Sequence, residues 1–293
     1  MRSLEIEARC KINLGLEVIA RRPDGYHEID TVFQTVSLAD SLRIAPNKGG
    51  AIALEVLGGT RLPAGPTNLA WRAAEAFLAA TGVPGALITL EKRIPVAAGL
   101  GGGSADAAAV IVGLNAVYGL GMSADALRGI ALTVGSDVPF LIEGGTARGR
   151  GRGELLEPLP PPPGCWFVLA TPAAEVSAAA AYAAARIGLT ERLPSISLVC
   201  SAIQEGDAEG LARVLRNDLQ TGVVEMCPEV GRLEGLLRER GAMGTVMSGS
   251  GPTVFGMVPD RENAERIADS LGGEERRVHV VQAVGAACVL RWH

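Results

Sequence analysis

At 293 residues with 48% hydrophobic side chains, the chain is long enough for one large or two medium buried cores, and two domains are expected. A formal charge of −5 gives it no general attraction for nucleic acid or an anionic membrane surface, and neither a signal-peptide core at the N-terminus nor a run of roughly 18 apolar residues is present, so a soluble, cytoplasmic protein is expected. Five cysteines without a CxxC pair suit a reducing compartment, and three histidines (His27, His279 and His293) outside any metal-ligand spacing argue against a zinc centre built on imidazoles.

Apolar residues alternate at Leu4, Ile6 and Ala8, at Ile12, Leu14, Leu16 and Val18, and at Ile52, Leu54 and Val56, which predicts half-buried strands of one sheet. On the second stretch Lys11 and Asn13 fall on the face opposite the apolar stripe. A helix is expected from Thr67, as N-cap, through Leu69, Ala73 and Phe77 to Gly82, which suits a left-handed C-terminal cap. A strand over 87–90 follows, then a glycine loop, a helix over about 104–118 and another from Ser123, its N-cap, to about 134. Residues 144–164, with an RGRGRG run and Pro160 to Pro163, read as outside any regular element and as the domain junction, dividing the chain into 1–160 and 161–293. Within that run Arg148, Arg150 and Arg152 lack aromatic partners, so a solvated loop is expected rather than an RNA-binding surface. Beyond it, 165–170 reads as a strand, 211–219 as a helix, and Pro228 and Gly241 bracket a helix with Val230, Leu233 and Leu237 on one face. A strand over 253–258, an Asp260-capped helix carrying Ala264, Ile267, Ala268 and Leu271, and a strand over 278–281 complete an α+β second domain.

The chemistry concentrates at Pro95-Val96-Ala97-Ala98-Gly99-Leu100-Gly101-Gly102-Gly103-Ser104-Ala105-Asp106, directly before an alanine-rich helix. Glycines let the backbone approach an anion and adopt positive φ, so successive N–H groups can converge on phosphate oxygens, with the helix dipole adding partial positive charge. The spacing is neither GxxxxGK[ST] nor GxGxxG, and no acidic residue stands about 20 positions on to bind a ribose, which weakens Walker-type and dinucleotide-binding readings. A second glycine-rich segment, 247–253, joins two expected strands and reads either as a hairpin turn or as a loop closing over a nucleotide from the other domain.

The first loop has the form P-x3-GLGxxS and resembles that of the GHMP kinase superfamily, which takes in galactokinase, homoserine kinase, mevalonate kinase and phosphomevalonate kinase. With Lys11-Ile-Asn13-Leu, Arg22-Pro-Asp24-Gly25-Tyr26-His27, Gly135-Ser-Asp137-Val-Pro-Phe140 and the later MSGSGPTVFG in order, the chain resembles over essentially its whole length one family within it, the 4-diphosphocytidyl-2-C-methyl-D-erythritol kinases. The resemblance implies an α+β fold with an N-terminal domain like domain 2 of ribosomal protein S5, a C-terminal ferredoxin-like domain and an active site in the cleft between them. It implies ATP as phosphoryl donor, an accompanying Mg2+ with unassigned ligands, and transfer to the 2-hydroxyl of a cytidine diphosphate derivative in the non-mevalonate route to isoprenoids. Partners are then small molecules, without nucleic acid or membrane, in a monomer or weak homodimer.

The same resemblance makes Asp137 the general base, Lys11 its electrostatic partner and Asn13 a neighbouring polar contact. Tyr26 stacks on cytosine, His27 hydrogen-bonds it and Tyr182 is the second stacking aromatic; Asn68, Leu69 and Lys92 lie near adenine. From the residues alone, Asp137 reads as capping a turn and Lys11 as decorating a surface, while Ser104 could cap its helix or touch a phosphate or magnesium. Two departures remove hydroxyls: Ala105 stands where the family loop often has serine, and Ser177-Ala178 where it commonly has Ser-Thr. The alternatives are a mevalonate- or homoserine-type kinase, or a non-catalytic nucleotide- or RNA-binding module.

Overall fold

The structure, a computed structural model, describes residues 3–58, 62–163, 166–185, 195–272 and 276–292, so Cys165 and His293 lie outside the described residues. Strands β1 (Leu4–Arg21) and β2 (His27–Pro46) form one long antiparallel hairpin, bent by register shifts between Arg9 and Lys11 and between Asn13 and Gly15. β2 has no alternation to read, because residues 29–36 are buried on both faces. β3 (Ile52–Leu57) leads to α1 (Leu69–Thr81), which is capped by Asn68 rather than Thr67. The Asn68 Oδ1 accepts Ala70 N at 2.9 Å, and the helix ends at Gly82 with φ 71°. β4 (Ala86–Glu91) then inserts between β2 and β3.

Helices α2 (Gly102–Tyr118), α3 (Ala124–Val134, capped by Ser123) and the single turn α4 (Phe140–Glu143) pack with α1 against this sheet. α2 lies so close that a Cβ on Gly113 would come within 2.5 Å of Ile44 Cδ1 and 2.6 Å of Ile6 Cδ1. Its small residues permit that approach, and the approach anchors the helix whose N-terminus carries the glycine loop.

β5 (Thr146–Gly151) and β6 (Leu155–Leu159) correct the reading of 144–164 as irregular and solvated. The RGRG run is a strand because β2 supplies its partner. Asp30 receives Arg148 through Nε at 2.9 Å and Nη2 at 2.5 Å, and a Cβ on Gly149 would meet the Phe33 ring at 2.6 Å. Alternating arginine and glycine carries no hydrophobic signal, so tertiary pairing decides its conformation.

The chain continues through β7 (Trp166–Pro172), α5 (Ala178–Ala183), α6 (Ile196–Glu205) and α7 (Ala208–Val214). α7 stops short of the expected 219: Leu215 turns extended at ψ 133°, and β8 (Arg216–Asn217) pairs in parallel with Gly15 and Leu16 of β1. After α8 (Gln220–Met226), α9 (Glu229–Glu239) buries Val230, Leu233 and Leu237 on one face. β9 (Gly244–Met247), β10 (Val254–Val258), Asp260-capped α10 (Arg261–Ser270) and β11 (Arg276–Gln282) complete a second, antiparallel sheet of order β11-β7-β10-β9. β12 (Cys288–Trp292) returns to pair with β1.

The architecture is α+β, with an N-terminal unit of the S5 domain 2 type and a C-terminal ferredoxin-like unit. β1 ties them together, and its even-numbered residues serve three cores in turn. Leu4, Ile6 and Ala8 pack beneath α1–α4; Cys10, Ile12 and Leu14 join Phe167, Val246 and Phe255 between the sheets; Leu16 and Val18 meet the helices α8–α10. Burying this stripe at about 25 cal/mol per Å² of apolar surface holds the opposite, polar face of β1 in a defined place.

Candidate active site

A cleft of about 1090 Å³ opens between the two units, walled by the glycine loop, the β1–β2 turn, the Asp137 turn, α5 and residues 249–250. At its floor Lys11 N donates to Leu100 O at 3.0 Å, which ties the loop to β1. Gly101, at φ 68°, starts α2, and the first helical bond is Ala105 N to Gly101 O at 2.9 Å. The N–H groups of Gly102, Gly103 and Ser104 thus precede any intrahelical acceptor, and the first turn carries no acidic side chain to offset the dipole. An anion fits there.

The second glycine segment is both the β9–β10 connection and a wall of this cleft. Ser248 Oγ donates to Gly99 O at 3.0 Å and Thr253 N to Ala98 O at 3.4 Å. Contact is so close that a Cβ on Gly99, which sits at φ +74°, would fall 2.1 Å from Ser248 O.

Lys11 Nζ stands 3.3 Å from Asp137 Oδ2, with side-chain exposures of 5% and 31%. The ammonium is also held by Asn13 Oδ1 at 2.6 Å and lies 5.5 Å above the Phe33 ring. The carboxylate, open to the cleft beside this fixed cation, stands where it can receive a proton from a hydroxyl entering the cleft. Asn13 itself is 1% exposed and donates to Thr31 Oγ1 at 2.8 Å, so it supports Lys11 from beneath instead of facing a ligand. Ala105 likewise is buried in the core and does not line the cleft.

The adenine-side expectations divide. Leu69 borders the cleft, its Cδ1 3.2 Å from where a Cβ on Gly103 would be, and Asn68 lines it while capping α1. The Lys92 stem reaches the cleft, but its ammonium is taken up by Asp40 and by Asp106, the latter at 2.7 Å. Asp40 also accepts Arg93 N at 2.5 Å and Ile94 N at 2.9 Å. Burial, followed by the neighbouring Asp40 charge, raises the Asp106 carboxyl to about 8 against the opposing pull of Lys92, and its buried Oδ1 has no hydrogen-bond partner. An isolated aspartate in a strand gave no sequence signal for Asp40.

At the far end, the His27 and Tyr182 rings stack with centroids 5.0 Å apart, and Tyr26, 53% exposed, lies beneath Arg152, whose guanidinium carbon is 4.8 Å from the ring centroid. Partial burial and the charge of Arg21 lower the His27 pKa, favouring the neutral imidazole, with one donor and one acceptor. Burial, then the Asp137 charge, pushes the Tyr182 hydroxyl up. Ser177 lines the cleft while capping α5, accepting Ala180 N at 3.1 Å. Sequence reasoning missed Arg152, having read its run as a surface loop. Among the described residues, no group of three His, Cys, Asp or Glu side chains could hold a metal ion, and no helix is long and apolar enough to cross a membrane.

Comparison with known proteins bears on this cleft directly. The GHMP kinases N terminal domain matches residues 68–145 and the GHMP kinases C terminal domain matches 200–275. A 4-diphosphocytidyl-2-C-methyl-D-erythritol kinase of Pelotomaculum thermopropionicum is 49% identical over 262 residues, covering 89% of this chain and 91% of its own. The crystal structure of a 4-(cytidine 5'-diphospho)-2C-methyl-D-erythritol kinase matches with a TM-score of 0.79 at 38% identity, over 96% of this chain and 100% of that one. A homoserine kinase from Cytophaga hutchinsonii has a TM-score of 0.81 at 20% identity, over 99% and 97% of the two chains, a likeness of fold alone. Fold therefore does not select the acceptor; the side chains lining the cleft must.

Proposed function

The chain belongs to the 4-diphosphocytidyl-2-C-methyl-D-erythritol kinase family of GHMP kinases, and on that footing we propose that it transfers the γ-phosphoryl group of ATP to the 2-hydroxyl of 4-diphosphocytidyl-2-C-methyl-D-erythritol, a step of the non-mevalonate route to isoprenoids. The observation that carries the reading is the 3.3 Å approach of Lys11 Nζ to Asp137 Oδ2 within one cleft that also holds the N-terminus of α2.

The polyphosphate lies over the free N–H groups of residues 102–104, where backbone donors and helix dipole meet its charge. The acceptor hydroxyl gives its proton to the Asp137 carboxylate as its oxygen bonds to the γ-phosphorus, and the bond to the β,γ-bridging oxygen breaks to release ADP. Such a positioned base contributes about 10²–10⁴-fold. Lys11 offsets charge gathering on the phosphoryl oxygens. Tyr26, His27, Arg152 and Tyr182 form the end of the cleft that takes the cytidine moiety, with π faces and a neutral imidazole suited to a pyrimidine.

Magnesium fits this arrangement as an ion carried on the phosphates and not as one caged by protein. The residues that would hold it are Asp137 and the Ser104 hydroxyl, both of which line the cleft. When bound, the ion neutralises phosphate charge.

The arginine run does not favour an RNA-binding reading: Arg148 is paired with Asp30, Arg150 with Glu157, and Arg152 lies over Tyr26. A coupled ADP-release assay with the cytidyl substrate, mevalonate and homoserine tests the assignment. Turnover with the cytidyl substrate is expected, and turnover only with either of the others overturns it.

A further inference from the structure

Asn217 lies at the end of β8, 5% exposed, away from the cleft lining and outside both glycine segments. Its Nδ2 donates to Met247 O at 2.7 Å and to Gly249 O at 2.8 Å, while its Oδ1 accepts Leu219 N at 2.9 Å. Both amide hydrogens thus grip the backbone of the turn between β9 and β10.

The mount is firm because β8 is fastened to β1, the strand that carries Lys11. Asp218 N donates to Leu16 O at 2.9 Å, Asp218 Oδ2 accepts Val18 N at 2.9 Å, and Arg216 pairs with Asp218 and with Glu17. The gripped turn presses on the reacting groups from its other side. A Cβ on Gly249, at φ +54°, would stand 2.8 Å from Gly99 O, 3.2 Å from Lys11 Nζ and 3.3 Å from Asn13 Oδ1. The bare backbone of Gly249 is therefore the surface against which the ammonium is set.

We propose that Asn217 is a positioning residue for phosphoryl transfer: by holding the Met247 and Gly249 carbonyls it seats the 248–251 turn against Lys11 and Gly99, and so fixes the ammonium beside Asp137. The inference rests on the roles given to Lys11 and Asp137 above. A buried amide bonded to two carbonyls would also serve as a plain staple of the fold, and the two roles separate in a double-mutant cycle.

Asn217→Ala is expected to lower kcat about ten- to hundredfold, as small misplacements of reacting groups do, with KM for ATP and acceptor changed much less. In a Lys11→Met background the same substitution is expected to change kcat less than about twofold, since the group it positions is gone. Equal fold-losses in both backgrounds, or wild-type kcat in Asn217→Ala, overturn the proposal. Should the alanine variant lack a cooperative melting transition, Asn217→Ser, which keeps one donor, carries the cycle with a smaller loss and the same criterion. Lys11→Met alone tests the underlying assignment: undiminished turnover there sinks both readings, whereas a large loss in Lys11→Met with additive Asn217 effects sinks only this one.

Discussion

The imidazole of His27 lies face to face with the phenol ring of Tyr182, centroids 5.0 Å apart and planes 22° apart. Rings in such contact leave no slot between them, so a cytosine that stacks on Tyr182 either uses the face turned away from His27 or displaces the imidazole. Tyr182→Ala is expected to raise KM for the cytidyl acceptor about 5- to 150-fold, the equivalent of roughly 1–3 kcal/mol of base stacking, with KM for ATP little changed. Tyr182→Phe keeps the ring and should stay near wild type. Steady-state kinetics in both substrates decide it, and an unaltered acceptor KM in the alanine variant removes Tyr182 from the base site.

Asp137→Asn retains the shape of the turn but removes the proton acceptor. Turnover is expected to fall about 10²–10⁴-fold while calorimetric affinity for a non-hydrolysable ATP analogue holds. Near-normal turnover would exclude Asp137 as base.

Gly99 and Gly119 both sit at positive φ, +74° and +64°, but only Gly99 is crowded: a Cβ there meets Ser248 O at 2.1 Å, whereas one on Gly119 meets nothing within 4 Å. Gly119→Ala should cost about 1–2 kcal/mol of stability through backbone conformation alone, without changing KM for ATP. Gly99→Ala should cost more and raise that KM, because the phosphate loop can no longer dock on the second glycine segment. Chemical denaturation paired with ATP kinetics tests the contrast; identical behaviour of the two variants would show that the docking is unimportant.

Asp106 supplies a pH dependence. Its carboxyl, raised by burial from 3.8 to about 8, keeps a proton in the folded chain that the unfolded chain releases. Its contribution to stability is therefore fully present below 3.8 and is lost as pH rises through about 8. Asp106→Asn cannot lose a proton, so its stability relative to wild type should rise across that window, read as denaturation midpoints from pH 5 to 9. Parallel curves would mean that Asp106 is ionised throughout.

What could be read from the sequence was local in its physics. Ser123 and Asp260 cap helices because their short side chains reach N–H groups three residues ahead. Gly82 ends α1 because a left-handed residue is needed there, and Val230, Leu233 and Leu237 share a face because a helix turns every 3.6 residues. The glycine loop belongs to this class, since an anion site at a helix N-terminus needs only a few consecutive residues. β2 and β5 escaped for the opposite reason. Residues 29–36 are buried on both faces and show no period, and the RGRG run becomes a strand only because Asp30 and Phe33 of β2 receive it.

By itself the sequence determined the phosphate loop, most helix ends and the family motifs, because each depends on neighbours within a turn or two of chain. Tertiary structure alone decided which groups those motifs meet: Asp40 with Lys92, Arg152 with Tyr26, and Asn217 with the turn that backs Lys11. The partners in these pairs are 30 to more than 100 residues apart, and at such distances only the burial of β1 and β2 between shared cores brings the side chains together.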